Sequence, residues 1–179
     1  MLIDKTYFIG EINIPDGKYS DLDTFIERFE KEFIIQAFGY TLAKEILAYD
    51  SAHHGNSSQR ILDIINGKEF DELPYKFKWT GLINADKISP IAYYVYCQYM
   101  RSKITHTGTT GESGNGTDPQ AETNIKVQNA WAQMLTLIGE GSYTGMAHDN
   151  SLHYFMTKHI SDYPEWLYTD FGFVNAFDL

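Results

Sequence analysis

The stretch that decides the fold is Ser89-Pro90-Ile91-Ala92-Tyr93-Tyr94-Val95-Tyr96-Cys97-Gln98-Tyr99-Met100-Arg101-Ser102-Lys103-Ile104. Proline at the first helical position loses no hydrogen bond, because the N–H it lacks has no partner there, and Ser89 stands where a capping residue belongs. On a helix turning about 100° per residue, Ile88, Ile91, Ala92, Val95, Tyr96 and Tyr99 share one face. Tyr93, Cys97, Met100 and Ile104 make a second, opposite face, and only Tyr94, Gln98 and Arg101 form a polar strip. A helix apolar on most of its circumference is either the central rod of a bundle or is half buried by another subunit. The pattern fades near His106.

Past this helix, residues 107–118 hold four glycines, four threonines and no apolar side chain. Such a segment cannot offset its ordering entropy by burial, so it reads as a flexible loop. Extended, it could span at most about 40 Å. Order restarts at Pro119, where Val127, Ala130, Trp131, Met134, Leu137 and Ile138 form an amphipathic stripe that ends at Gly139. A shorter helix follows near residues 150–160. The chain closes in an extended aromatic tail at about 163–179 that carries Trp166, Tyr168, Phe171, Phe173 and Phe177 and is too short to form a core of its own.

Toward the N-terminus, Leu22, Phe25, Ile26, Phe29, Phe33 and Ala37 repeat at helical spacing, with Ser20 as the cap and Gly39 as the stop. Glu27 precedes Lys31 by four residues, the favourable order for an ion pair on a solvated face. A second helix is predicted over Thr41–Tyr49. A third, capped by Ser57 or Ser58, carries Ile61, Leu62, Ile64 and Ile65 up to Asn66-Gly67, and residues 50–56 between them are polar loop. Two segments change period. Residues Thr6–Ile14 alternate as a short strand or extended arm before the turn Pro15-Asp16-Gly17, and Tyr75, Phe77 and Trp79 alternate with Lys76 and Lys78 behind Pro74 as a lysine-protected edge strand or extended loop. The expectation is one mainly α domain over 1–179: a bundle of about five to six helices, with short extended or β segments at the N-terminus, near 70–80 and at the C-terminus. No internal repeat is present.

Bulk properties narrow the function. At 179 residues the chain suits one sizeable core. Its net charge of −10 gives no footprint for gripping a phosphate backbone. Cys97 is the single cysteine, so no intrachain disulfide is possible, and its apolar neighbours suggest a buried thiol in a reducing setting. Charged residues interrupt the first positions where a signal peptide needs its apolar run, and no apolar stretch reaches membrane-spanning length. The chain reads as soluble, with no membrane partner.

Candidate chemistry is thin. Thr110-Gly111-Glu112-Ser113-Gly114-Asn115-Gly116 lacks the Gly-Lys-Ser/Thr ending of a phosphate loop and follows a helix where that motif needs a strand. There is no Gly-x-Ser-x-Gly nucleophile elbow. His148, His153 and His159 lie near Asp149 and Glu165, but separations of five and six residues keep the histidines off one helical face, where a paired site needs i, i+4. His53-His54 sits in polar loop. Neither catalytic, cofactor-binding nor metal-binding residues are assigned, and the chain is expected not to be an enzyme. A metal-dependent hydrolase using His148, His153, His159 and Glu165 stands as an alternative.

Aromatic residues are in clear excess, and Tyr and Trp are favoured at interfaces because they combine a large apolar body with a polar tip. Those lying outside helical stripes are the candidate partner surface: Tyr7, Phe8, Tyr75, Phe77, Trp79, Trp166, Phe171, Phe173 and Phe177. Extended segments of this kind add naturally to a partner's sheet edge or groove.

Three stretches also carry a resemblance: Asp4-Lys5-Thr6-Tyr7-Phe8-Ile9-Gly10-Glu11-Ile12-Asn13-Ile14-Pro15, Lys87-Ile88-Ser89-Pro90-Ile91-Ala92-Tyr93-Tyr94-Val95-Tyr96, and Val174-Asn175-Ala176-Phe177. Together they resemble a family of virion proteins encoded by Bacteroidetes phages and prophages. The helical architecture is similar to head-tail connector (adaptor) proteins that form rings beneath the portal. The resemblance implies a structural protein of the virion, assembled in the host bacterial cytoplasm. Its partners would be copies of itself and portal, tail or other connector proteins, with DNA at most passing through. It brings no active-site residue. The other alternative is a small bacterial helical interaction protein with no viral role.

Overall fold

A computed structural model describes residues 1–14, 21–49, 58–72, 74–107, 119–140 and 150–171, with 104–107 and 119–123 described by backbone alone. The fold is mainly α. Its helices are α1 (Leu22–Leu47), α2 (Gln59–Asn66), α3 (Pro90–Thr107), α4 (Pro119–Ile138) and α5 (Leu152–Lys158), and β1 (Lys68–Glu72) and β2 (Tyr75–Trp79) form one antiparallel hairpin. Several sequence expectations fall outside the described residues: the loop at 107–118 beyond Thr107, the turn at 15–17, the Ser20 and Ser57 caps, the polar loop at 50–56 and the tail beyond Phe171.

Helix α3 is the rod of the bundle, packed by α1 on one side and α4 on the other. Ile91, Ala92, Val95 and Tyr99 on its first face are fully buried, and so is Cys97 on its second, whose thiol lies 3.6 Å from the Val127 carbonyl of α4. The two apolar faces therefore both meet the chain's own helices. One residue departs from the expected polar strip. Tyr94 is buried, its ring tilted or edge-on against Phe33, Trp131 and Phe171, while its hydroxyl reaches out to donate to Glu32 Oε1 at 2.6 Å. Ser89 also departs from expectation: its carbonyl accepts the first helical bond, from Tyr93, while its buried hydroxyl makes no capping bond.

Helix α1 contains a break where the sequence places its stop. Gly39 has φ 73° and ψ 161°, so α1 is two helical segments joined at an angle, the second carrying buried Leu42, Ala43 and Ile46. Only glycine adopts that backbone region at little cost. Before the break, Ile26, Phe33, Ile34, Ala37 and Phe38 face the core. Glu27 and Lys31 pair at 3.2 Å on the outside.

The N-terminal segment does not form a strand. Two 3-10 turns, Lys5–Tyr7 and Gly10–Ile12, replace the alternation read from sequence. The cause is local. Asp4 accepts from the Thr6 N–H at 2.8 Å, and the buried Glu30 carboxylate of α1 accepts from the N–H groups of Leu2 and Ile3 at 2.8 and 3.1 Å. The Asp4 bond and the 3-10 bonds of Tyr7, Phe8, Ile12 and Asn13 take backbone donors that a strand over 6–14 would have used, while Glu30 fixes the residues just before it against α1. Ile3, Phe8 and Ile12 then enter the core.

Candidate functional site

Two helix ends in this chain are closed by distant segments, because the last carbonyls of a helix have no intrahelical donor. At the Gly39 break, the C-terminal tail supplies the donors. Trp166 Nε1–H bonds the Ala37 carbonyl at 3.0 Å, Leu167 N–H the Phe38 carbonyl at 3.3 Å and Thr169 N–H the Gln36 carbonyl at 3.0 Å. Gln36 returns a bond from its side-chain amide to the Asp170 carbonyl at 3.0 Å. Phe171 seals the tail against Phe33 and Tyr94 at ring separations of 5.0 and 5.6 Å. The carbonyls of Ile64 and Ile65 in α2 are closed in the same way by Leu82, Ile83 and the indole of Trp79, with Gly67 and Gly81 letting the two backbones touch.

The nine aromatic positions singled out from sequence therefore separate. Phe8, Trp79 and Phe171 lie in the chain's own core, Tyr7, Phe77 and Trp166 are half-buried, and Tyr75 is 67% exposed. Phe173 and Phe177 lie outside the described residues. Polar tips of other aromatics are engaged internally as well: the hydroxyls of Tyr93, Tyr94, Tyr154 and Tyr168 donate to Glu11, Glu32, Glu72 and Glu140. Much of the aromatic excess thus serves the fold. The most exposed apolar side chains include Tyr40 and Leu167, which flank the break, and Tyr75 on the hairpin, with Ile9, Ile35, Ile88, Ile125 and Ile160 exposed singly elsewhere.

The hairpin is held along its length, from root to turn. Trp79 is fully buried and its indole donates to the Ile64 carbonyl at 2.9 Å. Phe70 packs among Phe77, Tyr154, Phe155 and His159. Lys68 pairs with Asp63 of α2 at 2.7 Å, and Glu72 is gripped by Lys158 and Tyr154 of α5, which hold its carboxyl below the ordinary range. Its outer face is charged by strand. Glu69 and Asp71 on β1 stand opposite Lys78 and Lys76 on β2, with Glu69 and Lys78 3.8 Å apart. Lys78 directs its N–H to Asn150 Oδ1 at 3.4 Å, away from β1, so Glu69–Lys78 is a non-hydrogen-bonded pair. By the alternation of antiparallel ladders, Asp71–Lys76 is another, and the backbone groups of all four residues point outward.

The titratable groups singled out from sequence are held apart where they fall among the described residues. Burial pushes the Cys97 thiol up to about 12, leaving no thiolate at neutral pH. His153 packs on Trp166 and Tyr168, His159 packs on Phe70 and Phe155, and Glu165 lies 2.6 Å from Arg60, so these three are engaged separately; His148 and His53-His54 lie outside the described residues. Among the described residues no group of three His, Cys, Asp or Glu could hold a metal ion, and no helix is long and apolar enough to cross a membrane. An open cleft of 380 Å³ lies between the N-terminus and α1, lined by residues including Leu2, Glu30, Lys31, Ile46 and Tyr49. Burial raises the Glu30 carboxyl there despite its two backbone donors.

Strand β1, and with it the pairing of an acidic strand against a basic one, does not stand out in the sequence. Phe70 is its single apolar residue beside four charged ones, so no alternation stands out; the available signal was Gly67 and Pro74 bracketing a run opposite the lysines. Comparisons with protein-family models, with curated proteins and with solved structures find no match.

Proposed function

We propose that this chain is a non-enzymatic structural protein of a phage virion, a head-tail connector subunit that assembles as a homo-oligomeric ring between portal and tail. The observation that carries the reading is the hairpin: fixed along its length by Trp79 at the root, Phe70 in the middle and Glu72 beside the turn, and charged and open along its edges among the described residues. A small contact element on a rigid helical body is what repeated subunit contacts require, because a preorganised edge pays little ordering entropy on assembly. The three stretches that resemble phage virion proteins support the same reading, and a net charge of −10 suits a body that lets DNA pass without gripping it. The neighbouring genes provide the first test. Portal, capsid and terminase genes beside this one support the proposal, and a locus without any virion gene counts against it.

A second reading is a bacterial helical interaction module with no viral role. It is favoured by one observation, the tail that closes on α1 of its own chain through Trp166, Leu167 and Thr169. Proteomics of purified virions separates the two: a connector travels in the particle, and a host module does not.

A further inference from the structure

We infer that the ring contact is edge-to-edge joining of hairpins, the basic β2 edge of one copy against the acidic β1 edge of the next. The inference rests on the reading of the chain as a homo-oligomeric ring subunit and names the surface that makes the ring. Each hairpin has two unlike edges. Glu69 and Asp71 line β1, Lys76 and Lys78 line β2, all four are exposed, and their outward backbone groups are the ones a further strand would meet. Among the described residues the sheet stops at two strands, and neither strand makes a backbone–backbone hydrogen bond beyond the hairpin. Among the described residues, the Lys78 N–H alone has a side-chain partner on that side, Oδ1 of the exposed Asn150 at 3.4 Å.

The occupant that fits such an edge is a second copy of this chain. Placing the β2 edge of one copy beside β1 of the next continues the antiparallel alternation, down against up, without reversing any strand. Each lysine row then lies between two acidic rows, one from its own hairpin and one from its neighbour. A β1 edge against another β1, or β2 against β2, sets like charges opposite each other and is disfavoured. The contact is thus head-to-tail, the type that closes into rings when the rotation between copies divides a full turn. Lysines on an edge strand ordinarily discourage unwanted pairing. Here the acidic strand next to them makes one pairing complementary and leaves the others repelled.

The test uses the whole chain and charge reversals. E69K/D71K makes both edges basic and K76E/K78E makes both acidic, so each variant alone is expected to lose self-association by at least tenfold in native mass spectrometry or analytical ultracentrifugation. Mixed in equal amounts, the two should co-assemble, and the fourfold variant E69K/D71K/K76E/K78E should assemble like the natural chain. That fourfold variant keeps the pairs within its own hairpin, and circular dichroism of every variant confirms folding. Folded single-edge variants that assemble alone as well as the natural chain overturn the inference, as does a folded fourfold variant that stays monomeric while the natural chain assembles. If the natural chain itself never assembles, with or without a portal, the ring reading fails and this contact with it.

Discussion

Gly39 and Leu167 meet so closely that a Cβ placed on Gly39 would lie 2.8 Å from the Leu167 Cβ and 3.0 Å from its carbonyl oxygen. The break in α1 and the seat of the tail are therefore one feature. Gly39 lets the helix turn, the turn exposes the carbonyls of Gln36, Ala37 and Phe38, and the tail closes them. Gly39→Ala combines a positive-φ alanine with this contact. It is expected to cost about 2–4 kcal/mol, seen as a lower denaturation midpoint, with added proteolysis after residue 163 as the tail lifts.

Trp79 joins the hairpin to α2 through both area and a hydrogen bond. Trp79→Phe keeps most of the area and leaves the Ile64 carbonyl with its longer bond from Leu82, so a loss of about 1–2 kcal/mol is expected. Trp79→Ala opens a cavity and should cost about 3–5 kcal/mol. Urea denaturation of the pair separates these contributions; equal losses would show that the indole N–H, and not its volume, dominates.

Cys97 lies between α3 and α4 with its thiol raised to about 12 by burial. It should resist thiol reagents at neutral pH in the native state and react fully in denaturant, because both access and thiolate are missing. Rapid native labelling would mean that α4 parts from α3.

Glu30 and Glu140 both have carboxyl pKa values raised above the ordinary range, with burial the leading cause. A raised carboxyl binds its proton more tightly folded than unfolded. Its contribution is therefore complete below the unfolded pKa and declines as pH rises through the folded value. The stability of the natural chain relative to Glu30→Gln should accordingly be greater at about pH 4 than at about pH 7. Asp21 and Glu72 run the other way. Lys103 holds Asp21 low and Lys158 holds Glu72 low, so their contributions are present above the unfolded value and fade as pH falls. Denaturation of the natural chain and Glu30→Gln at both pH values isolates the Glu30 part, and a reversed order would contradict the sign given.

The helices were legible where a single periodic stripe met a clear stop: Val127, Ala130, Met134 and Ile138 before Gly139, and Ile61, Ile64 and Ile65 before Gly67. Strand β2 was legible from Tyr75, Phe77 and Trp79. What escaped depends on partners far along the chain. Tyr94 counts as polar until Glu32, 62 positions away, takes its hydroxyl and lets the ring go inside. The N-terminal alternation reads as a strand until Asp4 and the 3-10 turns take the donors of Thr6, Tyr7, Phe8 and Ile12, while Glu30, far along the chain, anchors Leu2 and Ile3 just before it. The tail's need for a surface was visible in its aromatics, but the surface itself, the carbonyls bared at Gly39, exists only after α1 has bent. The candidate contact edge was half legible: its lysines stood out, and its acidic strand did not.

Assembly is the property on which the whole account turns. The most direct measurement is electron microscopy of this chain co-expressed with the portal protein of its own locus, paired with native mass spectrometry. The account predicts a closed ring of copies seated on the portal. A chain that remains a folded monomer, alone and beside that portal, would contradict it.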